Sequence, residues 1–96
     1  MTLPTADVLA AVDADIDGSL ERLFDWLRIP SISTDPAYKA DVELAADWAV
    51  KELSEIGFSG GKRQTPGHPM IVMHNPGPNT GDAKSAPHIL YYGHYD

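Results

Sequence analysis

The sequence predicts an α/β fold: two helices packed on a small mixed sheet, in the order α-α-β-β-β. Three observations carry this. Before Gly57, apolar residues recur at three- and four-residue steps, the spacing of one helix face. After Gly57 the pattern changes to short continuous apolar runs, MIVMH and HILYY, which read as strands. Between those runs lies NPGPNTGDAKSAP, dense in Pro, Gly, Asn and Ser, which reads as a surface loop joining two strands.

The first helix is marked by Val8, Leu9, Val12, Ile16, Leu20, Leu23, Phe24 and Leu27. Thr5 is its expected N-cap, and Asp7 in the first turn favours the helix dipole. Gly18 weakens the middle and marks the place for a bend. Ile29 precedes Pro30 and is pushed out of the α region, so the helix ends near Arg28. The loop PSISTDPAY follows, in which Asp35 and Pro36 form an N-cap and N1 pair for one short turn.

The second helix runs from Tyr38 or Asp41 to Ile56, with Val42, Ala45, Trp48, Ala49, Leu53 and Ile56 as its stripe. Gly57 is the expected C′ residue, and Phe58 packs back on the last turn. GGKRQT reads as an edge strand, MIVMH (Met70 to His74) as a buried strand, and HILYY as the last strand. Asn75 to Pro87 form the connecting loop.

Composition narrows the function classes. The chain has 96 residues, 43% hydrophobic and 22% charged, which argues against disorder along its length. Fourteen acidic and seven basic residues give a net charge of −7. Phosphate recognition needs clustered Lys and Arg, so neither nucleic acid nor an anionic membrane is an expected partner. The absence of cysteine removes disulfides and thiolate metal sites. No stretch reaches the ~18 apolar residues of a membrane span. The first residues lack a basic segment followed by an apolar one, so the cytoplasm is the expected location.

The chemistry gathers at the tip of ILYYGHYD. His94 and Asp96 are two residues apart, and on extended backbone such residues point to the same side. A neutral imidazole ligates a metal through one ring nitrogen. A carboxylate on the other N–H fixes the tautomer and raises the ligand's basicity. Sites in open α/β sheets lie at the carboxyl ends of strands, and Gly93 allows close backbone approach there. The same triplet also describes a surface histidine hydrogen-bonded to a nearby acid.

IPSIS after an amphipathic helix, a second helix ending LSEIGF, then TPGHPMIVM and ILYYGHYD, together resemble the start of the zinc-dependent dipeptidase and deacylase family. That family includes dipeptidases, acetylornithine deacetylase, succinyl-diaminopimelate desuccinylase and glutamate carboxypeptidases. The resemblance covers nearly the whole chain, and GHYD closing an apolar strand is its most specific part. It implies that His94 is a metal ligand and that Asp96 is an active-site residue supporting it.

The same resemblance implies a pair of zinc ions, with cobalt or manganese as alternatives. It further implies a dipeptide or N-acyl amino acid substrate and a homodimeric enzyme. The family's bridging carboxylate, its general-base glutamate and its dimerising domain have no counterpart here. Residues 1–96 are therefore expected to be the amino-terminal portion of a larger catalytic domain, inactive alone. The alternative is a small non-catalytic interaction module derived from the same fold.

The other candidates have plainer readings. His68 in PGHP is expected to lie in a turn, its imidazole capping a backbone group. His74 and His88 flank the Pro/Gly loop as strand-end histidines, or as an opportunistic metal pair. Asp13, Asp15 and Asp17 miss the Ca²⁺-loop spacing and read as a solvated helix face. Trp26 and Trp48 read as core. Tyr95 should point away from the metal side. Ser31 and Ser33 lack a nucleophile elbow and read as loop hydrogen-bonders.

Overall fold

The computed structural model describes residues 3–77 and 87–96. Among the described residues it is a small α/β fold of three α-helices, one 3₁₀ turn and a two-stranded antiparallel sheet. The helices are α1 (Thr5–Ala14), α2 (Ile16–Leu27) and α3 (Lys39–Glu55), and the strands are β1 (Ser59–Arg63) and β2 (Met70–His74).

The first expected helix is two. The break falls at Asp15 (φ −107°, ψ 14°), three residues before the glycine expected to mark it. The Asp15 carboxylate instead folds over Gly18, held by Arg22 at 2.6 Å and by the Ser19 hydroxyl at 3.4 Å. A Cβ at position 18 would stand 2.5 Å from Asp15 Oδ1, so the glycine's contribution is room for that carboxylate. Pro4, not Thr5, occupies the N-cap position of α1, and no side chain caps that end.

Local signals further along hold. The Asp35 carboxylate accepts from the Ala37 N–H at 2.9 Å and starts the 3₁₀ turn Pro36–Tyr38. Gly57 lies at φ +100°. The Phe58 N–H donates to the Leu53 carbonyl and the Gly57 N–H to that of Ser54, the paired bonds of a Schellman motif.

The core is small and sits on one face of α3: Val42, Ala45, Ala46 and Ala49 are buried. The sheet packs on this helix. Strand β2 alternates, with Ile71 and Met73 half-buried and Met70, Val72 and His74 exposed. It is therefore covered on one face only, not buried on both as its unbroken apolar run predicts. Lys62 on β1 staples sheet to helix, reaching Glu43 and Asp47 at 2.8 Å each. Trp26 of α2 stacks on Trp48 of α3 with ring centroids 5.2 Å apart, and its indole N–H donates to the Ala45 carbonyl.

Two further expectations are not met. The apolar stripe of α1 and α2 is not a core face: Val8 through Leu27 are 41–67% exposed along it, because neither helix has a sheet beneath it. HILYY is not a strand. Ile89, Leu90, Tyr91 and Tyr92 are 66–89% exposed, and residues 87–96 join no ladder. A strand needs a neighbour's backbone to pair with, and the one sheet described uses only the β1–β2 pairing. The sheet is thus antiparallel, not mixed. Of the expected loop, residues 78–86 lie outside the described residues.

The consequence is measurable. The chain exposes 7758 Å², against about 5,400 Å² for a compact monomer of its mass. Its radius of gyration is 16.1 Å, against about 12.5 Å for a compact domain of this length.

Candidate functional site

Three loops that are distant in sequence meet at one place. The turn after β1 is closed by Thr65, whose hydroxyl donates to the His68 carbonyl at 2.6 Å and accepts from the Gly67 N–H. That turn presents the His68 ring, whose Nε2 lies 2.8 Å from the Ser33 carbonyl. A carbonyl only accepts, so Nε2 carries the proton. This is the backbone-capping role expected of His68, and it fixes the turn to the PSIS loop.

The PSIS loop in turn holds the last segment. The Ser33 hydroxyl donates to Asp96 Oδ2 at 2.5 Å, and the Ser31 hydroxyl lies 3.4 Å from the Tyr95 carbonyl. The Tyr95 hydroxyl donates to the Pro69 carbonyl at 2.5 Å. Side chains, not a ladder, therefore place residues 95 and 96. Tyr95 is thus engaged with the turn at Pro69, while His94 and Asp96 contact each other. Partial burial raises its phenol pKa, with Glu43 and Asp96 adding to the effect.

His94 and Asp96 come together as expected. His94 Nδ1 lies 3.1 Å from Asp96 Oδ1. The Ser33 hydroxyl, and then the imidazole, hold the Asp96 carboxyl below its ordinary pKa, so it is an ionised acceptor at neutral pH. An ionised carboxylate only accepts, so Nδ1 donates, and in the neutral imidazole the lone pair is then on Nε2. His94 and Asp96 help to line an open cavity of about 530 Å³, together with Trp26, Val42, His68 and Tyr91. The Tyr92 hydroxyl lies 3.4 Å from Nε2.

This arrangement fits one metal-ligand position with its orienting acid. One imidazole does not by itself make a catalytic zinc centre, which takes three protein ligands. Among the described residues no group of three His, Asp or Glu side chains converges.

Sequence reasoning missed one participant. Ser33 was expected to make loop hydrogen bonds, and it does, but its partner is the candidate site acid 63 residues away. Nothing local in PSIS signals that partner. No known protein family, curated protein or solved structure matches this chain.

Proposed function

We propose that the chain is the amino-terminal part of the catalytic domain of a metal-dependent hydrolase, a metallopeptidase of the dipeptidase and deacylase kind. Its substrates would be dipeptides or N-acyl amino acids, and its location the cytoplasm. The observation that carries the reading is the chain of contacts Ser33–Asp96–His94. It joins IPSIS to GHYD, two of the motifs in which the resemblance lies.

In this reading Ser33 pins Asp96, Asp96 fixes the His94 tautomer, and Nε2 of His94 is presented as a ligand. A pair of zinc ions, or cobalt or manganese in their place, would supply carbonyl polarisation and an activated water. The remaining ligands and the general base belong to chain other than the residues described here. A homodimer is part of the same proposal.

A second reading has one observation in its favour. The run Ile89–Tyr92 is exposed and apolar, the kind of surface on which a binding module recruits a partner.

The test begins with the intact mass of the protein as its source makes it. A product several times heavier than 10.4 kDa, losing zinc and dipeptide hydrolysis on His94→Ala and Asp96→Ala, is the expected result. A product at 10.4 kDa that unfolds cooperatively as a monomer would overturn it in favour of the module. Metal-dependent hydrolysis by the 96-residue chain alone would contradict the expectation that it is inactive.

A further inference from the structure

We propose a second metal site, separate from His94, at the pair His74 and His88. It would take a first-row transition ion of the zinc class.

The two rings belong to different segments. His74 is the last residue of β2, opposite Ser59 in the ladder, and His88 opens the final described segment. Their centroids are 5.9 Å apart and their planes are inclined at 60°. With Zn–N bonds of 2.0–2.1 Å and the ring centre ~1.1 Å behind the nitrogen, two imidazoles on one tetrahedral ion have centroids roughly 5.2 Å apart. The observed separation exceeds that by less than 1 Å, a displacement that rotation of one exposed side chain covers.

The surroundings favour a cation. The hollow that the pair shares is lined by Phe58, Ile71, Asn75 and Leu90 among others, with no Lys or Arg among its described residues. The chain's net charge of −7 adds a long-range attraction. Both histidines are exposed, so an ion reaches them without displacing protein. Imidazole selects zinc, copper and nickel over the hard cations. Two protein ligands leave the remaining positions to water, which makes this a surface clamp and not a catalytic centre.

The clamp has a structural consequence. It ties the end of β2 to the segment that carries His94. The site does not depend on the hydrolase reading, because neither histidine takes part in the Ser33–Asp96–His94 contacts.

The test is calorimetric titration of the 96-residue chain with Zn²⁺, alongside imidazole NMR. The expected result is a Zn²⁺ equivalent that shifts the His74 and His88 resonances together. His74→Gln and His88→Gln should each weaken that event at least about tenfold, ~1.4 kcal/mol, while His94→Ala leaves it intact. Circular dichroism of the variants confirms an unchanged fold, as both side chains are exposed. No Zn²⁺ binding, or binding that both Gln variants retain, overturns the proposal. So does binding that only His94→Ala removes.

Discussion

Gly60→Ala and Gly61→Ala are neighbouring substitutions with opposite expected outcomes. Gly60 has φ +143°, and a Cβ there would stand 2.1 Å from the Val72 carbonyl oxygen and 3.0 Å from the Met73 Cα. Both obstacles are backbone of the paired strand, so no side-chain rotation relieves them. The strand would have to move by more than ~1 Å to reach ordinary contact, which breaks the Gly60–Met73 pairing. The Gly-only backbone region costs an alanine ~1–3 kcal/mol. Losing ladder hydrogen bonds adds ~0.5–1.5 kcal/mol each. A loss of ~2–4 kcal/mol is a large share of a small domain's stability.

A Cβ at Gly61 meets nothing within 4 Å, and its φ is not positive. Alanine there restricts the unfolded chain and should stabilise by ~0.4–1 kcal/mol. The assay is amide hydrogen exchange and backbone chemical shifts over Ser59–Arg63 and Met70–His74. Gly60→Ala should lose the hairpin signature, and Gly61→Ala should keep or strengthen it. A protected hairpin in Gly60→Ala, or an equal loss in both, would refute the reasoning.

Three further outcomes are expected. Val42 is the one large side chain fully buried among the described residues, so Val42→Ala should cost about 2 kcal/mol in urea unfolding; a change within a few tenths would show that α3 packs elsewhere. The Asp96 carboxyl is held below its ordinary pKa by Ser33 and His94. Its tether is therefore complete above pH ~3.9 and is lost as pH falls through the lower folded value. Ser33→Ala should move the Asp96 carboxyl titration, read by ¹³C NMR, up toward the ordinary value, and an unmoved midpoint contradicts the contact. Hydrogen bonds to Asp47 and Glu43 raise the Lys62 ammonium's pKa. The staple is thus present at neutral pH and lost as pH rises past ~10.4 through the higher folded value. The stability change on Lys62→Met should shrink as salt is added, and a salt-independent loss would point to packing of the lysine stem instead.

How much of this was legible in advance follows from how far each interaction reaches along the chain. The Asp35 cap, the Gly57 terminus and the end of α2 near Arg28 were readable, because each is a steric or hydrogen-bonding event within a few residues. So was the pairing of His94 with Asp96, which needs only the two-residue period of extended backbone. The role of Gly18 was half readable: its lack of a Cβ matters, but to Asp15, whose carboxylate fills that space. What the sequence by itself determined is thus where the chain is helical, the local turns at Asp35 and Gly57, and the approach of His94 to Asp96. Only the tertiary structure decided which apolar runs are covered, that Ser33 grips Asp96, and that Ile89–Tyr92 lies unpaired. The physical reason is that burial and strand pairing belong to two surfaces at once, and the code for the second surface lies far from the first.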